Sequence, residues 1–354
     1  MAPIRPKSQL KKLWRFIQRE NIDRLLLVLT LLVLFSSIGL TLTEPDLSLL
    51  DSLWWSVVTL TTVGYGDIAP STLIGRVIAI INMVIGIGVL AIFSATLASI
   101  LVDRKIKEEL GMSNYHFEQH IILCEWNHRA ASIIRELRLD PQSTQTPIVL
   151  VADIERKPID SENLYFIRGQ VSDETLNRAN LSHASTVIIL GDDHLEETAR
   201  DAKSILSTLT IESINPHTYT IVEIVNQTHA ITCRRAQANE VIVSSNLSSM
   251  LISQATLNHG ISEVISELLS FQIGNQLYKI PLPHSKINQP FIDVFIYMKQ
   301  TYQSIVVGMQ KGKEGKVISN PDTNEILEQG DYLIIIATEN PQQQAKLQSE
   351  NSNI

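Results

Sequence analysis

A six-residue stretch near residue 65 combines side chains and glycines in an order suited to binding a bare cation. The stretch reads Thr62, Val63, Gly64, Tyr65, Gly66, Asp67. A dehydrated cation needs oxygen ligands in place of its water, and backbone carbonyls supply them if successive C=O groups face one axis. Such a ribbon requires torsions that glycine tolerates, hence glycine at alternate positions 64 and 66. We therefore predict stacked oxygen rings, built from the carbonyls of residues 62–65 and the Thr62 hydroxyl, where four chains meet.

Two long uncharged runs flank this stretch and must hold it in place. Leu25 to Leu42 corresponds to about 27 Å of helix and Val77 to Val102 to about 39 Å, at about 1.5 Å per residue. Both can cross a hydrocarbon layer of about 30 Å. We predict membrane-spanning helices over about 25–42 and 73–102. A short pore helix over 51–61 lies between them, with the negative end of its dipole towards the cation.

The distribution of charge predicts how these spans are oriented. Residues 1–24 carry seven Lys and Arg against two acids, whereas the loop between the spans carries acids such as Glu44 and Asp46. Basic flanks stay in the cytoplasm, so both termini are expected there, in a plasma-membrane protein. Residues 1–22 are predicted to form an amphipathic helix on the inner membrane surface. The alternative is a poorly ordered basic leader. No span carries regularly spaced Arg, so no voltage sensor is expected.

Composition excludes other classes of protein. The net charge of −8 argues against binding to nucleic acid. The two cysteines, Cys124 and Cys233, lie in or beside apolar runs and are expected to be buried and unpaired, as in a reducing cytoplasm.

Residues 50–102 resemble the pore of KcsA-like two-span bacterial potassium channels, and Thr62–Asp67 matches their selectivity-filter signature. The resemblance implies K⁺ bound at Thr62, Val63, Gly64 and Tyr65. It also implies an aromatic cuff around the filter, to which Trp54, Trp55 and Tyr65 contribute, and a hydrogen bond made by the Asp67 carboxylate behind it.

The pore departs from its relatives at three positions. Val58 replaces a glutamate that partners the filter aspartate, so inactivation that depends on this carboxyl pair should differ. Ala69 replaces an aromatic residue, which predicts weak external block by tetraethylammonium. Ala95 stands where MthK-like channels carry an acidic ring, which predicts a more modest conductance. Gly86 in the second span has two interpretations: a bend that opens the inner mouth, or close helix packing.

Residues 119–245 alternate short apolar runs with helical stretches, the pattern of a doubly wound parallel sheet. They resemble the Rossmann-like N-terminal lobe of the RCK (regulator of potassium conductance) domain, and residues 271–340 resemble its small α+β C-terminal domain. The resemblance places crossover helices at 246–270 that clasp a neighbouring subunit. Residues 103–118 are expected to be a charged linker carrying Met112, a candidate internal start for soluble RCK copies, and 341–354 a tail.

A nucleotide, NAD or an adenine nucleotide, is one candidate ligand of this lobe. In such sheets the first strand-to-helix turn carries a glycine-rich phosphate cradle, but here Glu125 introduces a negative charge and the glycines are missing. Asp153, at the end of the second strand, occupies the position that binds a ribose. A hydride-transfer enzyme is not expected, because no acid/base constellation follows.

Calcium or another ion is the other candidate ligand. The three calcium-binding positions of MthK-like channels fall on Gln170, Glu223 and Val225, which leaves one acid where calcium prefers several. A second group of acids comprises Asp192, Asp193, Glu196 and Glu197. It has two interpretations: an acidic helix start N-capped by Asp193, or a calcium site.

Taken together, the sequence predicts a subunit of a homotetrameric potassium channel, not an enzyme, gated by ligand binding to an octameric RCK ring. The alternatives are a membrane-anchored nucleotide or redox sensor that conducts nothing, and a weakly selective cation channel.

Overall fold

The computed structural model describes residues 22–272, 274–313 and 315–341. The chain divides into two compact units, residues 1–107 and 108–354. The predicted amphipathic segment at 1–22 and the tail at 341–354 fall almost wholly outside the described residues.

The first unit consists of three helices: α1 (Ile22–Thr43), α2 (Leu49–Leu60) and α3 (Leu73–Glu109). Helix α2 begins where the Ser48 hydroxyl accepts a hydrogen bond from the Asp51 amide, a standard N-cap. Both α1 and α3 are long and apolar enough to cross a membrane. Their outward apolar side chains are widely exposed, including Leu27 at 58% and Phe35 at 58%, as expected of surfaces that face lipid or other subunits.

Helix α3 continues past its predicted end. The prediction stopped at residue 102 and gave residues 103–118 to a linker, but the helix ends at Glu109. The charged residues that follow the apolar run are good helix formers, and Lys107 forms an ion pair of 2.5 Å with Asp103 one turn earlier. The helix ends before Gly111, whose φ of +66° lies in the left-handed region.

The second unit begins with the predicted Rossmann-like lobe. Its six parallel strands are β1 (His120–Cys124), β2 (Ile148–Ala152), β3 (Leu164–Arg168), β4 (Ala184–Ile189), β5 (Tyr219–Ile224) and β6 (Glu240–Val243). They follow the spatial order β3-β2-β1-β4-β5-β6, so the order reverses between β1 and β4. The helices of this lobe are α4 (His128–Leu139), α5 (Asp173–Arg178), α6 (Glu197–Ile214) and α7 (Ala230–Arg235). Doubly wound sheets place ligand sites at such a reversal, outside the carboxyl ends of the strands.

The sheet is buried on both faces, as its continuous apolar strands require. All five residues of β2 are buried, and Cys124 and Cys233 lie unpaired in the core, as predicted. Burial raises the pKa of the Cys124 thiol to about 12, so it stays protonated.

Two helices and a small antiparallel domain follow. Helices α8 (Ser244–Leu257) and α9 (Ile261–Leu269) occupy the segment predicted as crossover helices. The last domain contains β7 (Gln276–Pro281), α10 (Phe291–Tyr302), β8 (Ile305–Gln310), β9 (Val317–Ser319) and β10 (Tyr332–Ala337), with strand order β7-β10-β8-β9. It has its own core, in which Val294, Met298 and Leu333 are fully buried.

Candidate functional site

The filter stretch alternates between two backbone conformations. Thr62, Gly64 and Gly66 have φ of +62°, +56° and +75°, whereas Val63 and Tyr65 do not adopt positive φ. This alternation turns successive peptide groups so that their carbonyls can face the same side. The two glycines behave as predicted, and Thr62 joins them in the left-handed region, where a β-branched residue is strained.

The filter is attached to the end of the pore helix by backbone hydrogen bonds. The Val58 carbonyl accepts hydrogen bonds from the Val63 amide at 3.0 Å and the Gly64 amide at 3.3 Å. Val58 therefore contributes its carbonyl to the filter base. Its apolar side chain is buried, so no carboxyl partner for Asp67 comes from this position.

Side chains of the pore helix support the outer part of the filter. The Trp54 indole Nε1 donates a 2.9 Å hydrogen bond to Asp67 Oδ2. The Trp54 ring stacks on Tyr65 with centroids 5.9 Å apart and planes at 4°. Trp55 lies elsewhere, buried against Leu40 and Ala79. Within one subunit, Trp54 thus braces the filter, while Trp55 packs the pore helix against the two long helices.

A buried carboxylate caps the start of α3. Glu44, 5% exposed just after α1, accepts hydrogen bonds from the backbone amides and hydroxyls of Ser71 and Thr72 at 2.6–3.0 Å. The Ser71 hydroxyl contributes most, followed by the Thr72 amide, and together they lower the pKa of Glu44 to about 2. In the sequence, Glu44 indicated only how the membrane spans are oriented, and its capping role was not predicted.

Gly86 lies where α3 passes the other two helices. A Cβ at this position would lie 2.5 Å from Leu60 Cδ1 and 3.7 Å from Leu32 Cδ2. A Cβ on Gly88 would meet no heavy atom of the described chain within 4 Å. Close packing therefore accounts for Gly86 in this conformation, in which α3 is one continuous helix, and the bend stays a prediction.

In the second unit, charged side chains converge on the sheet edge where strand order reverses. We call this the switch-point cluster, and its members are Glu125, Arg129, Asp192, Asp193, Arg200, Lys203 and Glu223. Glu125 follows β1, the two aspartates follow β4, and Glu223 belongs to β5, while α4 and α6 supply the cations. The topology thus brings together four of the five predicted ligand-site acids, those at positions 125, 192, 193 and 223.

Every acid of the cluster is paired with a cation. Lys203 Nζ lies 2.5 Å from Glu125 Oε2 and 2.7 Å from Asp192 Oδ2. Arg129 lies 2.6 Å from Asp193 and 2.9 Å from Glu223, and Arg200 lies 3.3 Å from Asp193. The cluster therefore neutralises most of its own charge.

The pairing shifts the protonation equilibria of its members. Burial is the largest single effect on Asp192 and opposes its ionisation, but the hydrogen bonds from Lys203 and the His194 amide, together with the positive charge of Lys203, outweigh it and lower the pKa of Asp192. The pKa of Asp193 is lowered in the same way, against burial, by Arg129 and Arg200. The pKa of Lys203 is raised, because its two carboxylate partners outweigh its burial.

The prediction that Asp193 caps a helix is wrong. Helix α6 begins at Glu197 with Glu196 as N-cap residue, and no side chain caps it. Asp193 turns instead to the two arginines. The described residues contain no group of three His, Cys, Asp or Glu side chains placed to hold a metal ion. Within one chain these acids therefore do not form a ready-made calcium site.

A dinucleotide in the usual Rossmann pose does not fit the first turn. Glu125 sits there with φ of +80°, and its carboxylate, held by Lys203, lies where a pyrophosphate would need positive or neutral groups. The helix start that would face the phosphates is capped by Asn127, whose Oδ1 accepts a hydrogen bond from the Ala130 amide.

The remaining predicted ligand residues lie outside the cluster. Asp153 is exposed after β2 and forms no hydrogen bond or ion pair with the described part of the chain. Gln170 is exposed and Val225 half-buried. The three cations of the cluster were missed by sequence analysis. Arg200 and Lys203 lie three residues apart on the same face of α6. No local pattern distinguishes them from ordinary surface cations.

Comparison with known proteins agrees with this organisation. Residues 27–103 match a family model described as ion channel, and residues 116–222 match the calcium-activated potassium channel slowpoke-like RCK domain. Residues 245–353 match a family model described as Castor and Pollux, part of voltage-gated ion channel.

Individual relatives extend over nearly the whole chain. The putative potassium channel protein YugO of Bacillus subtilis is 30% identical over 87% of this chain and 94% of its own length. The calcium-gated potassium channel TvoK of Thermoplasma volcanium is 28% identical over 94% of this chain and 97% of its own.

Among solved structures, the human SLO3 gating ring matches with a TM-score of 0.52 at 17% identity, over 63% of this chain and 48% of that one, a likeness of fold alone. The family models thus cover the pore unit and the cytoplasmic lobe, and relatives are matched almost from end to end. The chain belongs to the family of prokaryotic two-span potassium channels that carry a cytoplasmic RCK domain.

Proposed function

We propose that this chain is one subunit of a homotetrameric, K⁺-selective channel of the plasma membrane, opened by a ligand that binds its RCK domains and not by voltage. The observation that carries the proposal is the alternation of left-handed backbone at Thr62, Gly64 and Gly66. One such ribbon offers cation ligands on one side only, so a pore requires several chains around an axis.

The second unit offers surfaces for assembly. Helices α8 and α9 leave several large apolar side chains exposed: Leu247, Met250, Ile252, Leu257, Val264 and Leu269. Such a patch is more than a soluble surface normally carries, and it fits the proposed clasp between neighbouring RCK domains. Eight domains would form the ring. Met112, 61% exposed between α3 and the lobe, is the proposed start of soluble RCK copies.

The C-terminal end of α3, the inner helix of the proposed pore, forms hydrogen bonds with the RCK lobe. The Glu109 carbonyl accepts from the Lys157 amide at 2.9 Å, and the Gly111 carbonyl accepts from the Arg168 amide at 3.0 Å. The Arg178 guanidinium also donates to the Gly111 carbonyl. A movement of the lobe would therefore pull on α3, and a bend near Gly86 would widen the inner mouth.

Calcium is the ligand we propose first. A relative matched over 94% of this chain is described as calcium-gated. Since the switch-point acids are already paired within one chain, calcium would have to displace Lys203 or bind acids from more than one subunit. A ligand opens the channel only to the extent that it binds the open arrangement more tightly.

The test is single-channel recording from purified protein in a planar bilayer, with K⁺ on both sides and calcium stepped on the cytoplasmic face. We expect open probability to rise with calcium and to fall again with a chelator. K⁺ currents that ignore calcium would contradict this ligand, and a nucleotide applied next would test exposed Asp153. Absence of any current would favour a non-conducting sensor.

A further inference from the structure

The inner helix α3 buries four residues within the pore unit: Gly75, Ala79, Asn82 and Gly86. Three of them are small, as expected where helices pack closely in a membrane. Asn82 differs, because its side chain carries two donor hydrogens and an acceptor oxygen yet is 1% exposed. Neither Nδ2 nor Oδ1 has a hydrogen-bond partner among the described residues. An unpaired amide at membrane depth is costly, so its retention calls for a partner.

Contacts on either side of Asn82 fix its level among the helices. One turn before it, Ala79 packs with Leu40 and Trp55. One turn after it, Gly86 packs against Leu60 and Leu32.

Between these two levels, the buried faces of α1 and α2 carry three serines and, on α2, the apolar Val58. The buried residues of α1 between Leu32 and Leu40 are Ser36 and Ser37, and Ser56 lies between Trp55 and Leu60 on α2. The register thus places Asn82 opposite three serines.

The three hydroxyl groups form a compact cluster, which we call the serine cluster. Ser36 Oγ and Ser37 Oγ lie 3.0 and 3.1 Å from Ser56 Oγ. Each hydroxyl has one hydrogen, and each also lies 2.7–2.9 Å from a carbonyl one turn back in its own helix. Because three hydrogens serve six oxygens, the cluster has more acceptors than donors. Asn82 Nδ2 offers the missing donors but reaches none of these oxygens directly.

We propose that a buried water bridges Asn82 and the serine cluster and so joins α3 to α1 and α2. The water accepts a hydrogen from Asn82 Nδ2 and donates to serine oxygens, which supplies the two to four partners that a buried water needs. The bridge is a binding site for water, with Asn82 as a positioning residue. It acts on the filter because Ser56 precedes Val58, whose carbonyl holds the Val63 and Gly64 amides.

The test compares full-length channels carrying Asn82→Leu, Ser56→Ala or both, with Met83→Leu as control because Met83 is 43% exposed beside the same position. Asn82→Leu keeps the side-chain size and removes the polar atoms. We expect each single change to lower the thermal unfolding midpoint and the double change to lower it no further, because both remove the same bridge. A raised midpoint for Asn82→Leu, or additive losses, would overturn the proposal.

Two further readouts separate the bridge from a general packing defect. A high-resolution map should contain water density within hydrogen-bond distance of Asn82 Nδ2 in the wild type and the Met83→Leu channel, and a dry site there contradicts the proposal. If Asn82→Leu fails to assemble, Asn82→Ala, which also removes both polar atoms, replaces it, and the same loss of water density and of thermal stability is expected.

In bilayers, Asn82→Leu should shorten openings about tenfold at unchanged ligand sensitivity, an effect worth about 1.4 kcal/mol. Unchanged opening times would overturn the positioning role. Because the thermal and map measurements need no current, they stand even if the proposed conduction fails.

Discussion

The filter and the switch-point cluster both lie at ends of regular elements, yet they present their polar groups by different means. The filter uses backbone carbonyls, whose direction depends on torsions at residues 62, 64 and 66. The cluster uses side chains from five segments of the chain, and it pairs them internally through Lys203, Arg129 and Arg200. A site built from backbone groups is therefore determined by consecutive residues, whereas a site built from side chains depends on which partners the fold brings to it.

The largest effect is expected from Gly64→Ala, which should abolish K⁺ current. A side chain at φ of +56° costs roughly 1–2 kcal/mol per subunit, and the strain falls on the carbonyl ribbon itself. Gly88→Ala is the matched control, because that helical glycine has open space around it within the chain. Single-channel recording decides, and normal K⁺ currents through Gly64→Ala channels would contradict the backbone account.

A second change tests the side-chain brace of the filter. Trp54→Phe keeps the ring stacked on Tyr65 but removes the 2.9 Å hydrogen bond to Asp67, a bond to a charged group worth about 1.5–3 kcal/mol. We expect openings about tenfold shorter, with K⁺ selectivity and ligand sensitivity preserved. Trp55→Phe should leave opening times near wild type, because the Trp55 indole nitrogen forms no hydrogen bond with the described residues. Equal effects of the two substitutions would refute a specific role for Trp54.

On the cytoplasmic side, Arg178→Met tests transmission from lobe to helix. Arg178 donates to the carbonyls of Gly111 and Ser113 and to Asn114 Oδ1 just beyond α3. We expect its loss to loosen the connection, so that several-fold more ligand is needed for half-maximal opening while the single-channel conductance is unchanged. A ligand dose–response curve measures this, and an unshifted curve would mean that force passes by another route.

Lys203→Met tests the switch-point cluster. It leaves the carboxylates of Glu125 and Asp192, both largely shielded from water, without their cation, and we expect the lobe to lose about 1–3 kcal/mol of stability. Lys107→Met removes an exposed pair and should cost about 0.5 kcal/mol or less. Urea unfolding followed by circular dichroism provides the comparison. The ion pairs would lose their assigned role if both variants were equally stable.

The smallest effect concerns pH. A carboxylate whose pKa is lowered on folding adds stability that is present above its unfolded pKa of about 3.9 and lost as pH falls through the folded value. Asp192 and Asp193 should therefore stabilise the lobe equally across pH 5–8 and cease to do so only below about pH 4. Thermal unfolding across this range checks the sign, and a loss beginning near pH 6 would point to a different titrating group.

Much of the fold was predictable because its signals are local. The strands of the Rossmann-like lobe lie on the short apolar runs from which the sheet was predicted, since apolar runs bounded by turn residues define them. Residues 103–118 were predicted as a charged linker, and the structure adds that the first part of this segment, to Glu109, continues helix α3, because its residues favour helix.

The sites were predictable only where the chemistry is consecutive. Gly64 and Gly66 reveal the filter from their neighbours alone. Asp193 did not reveal its partner, because Arg129 lies 64 residues away in the sequence and meets it only in the folded sheet. The role of Asn82 could not be predicted from the sequence either, because an isolated amide in an apolar run can be assigned a partner only once the fold shows which serines lie at its level.

The most direct test of a K⁺-selective pore is the reversal potential of single channels with K⁺ on one side of a bilayer and Na⁺ on the other. The account predicts current carried almost wholly by K⁺, with a reversal potential far from zero. A reversal potential near zero, meaning that Na⁺ and K⁺ pass equally well, would contradict it.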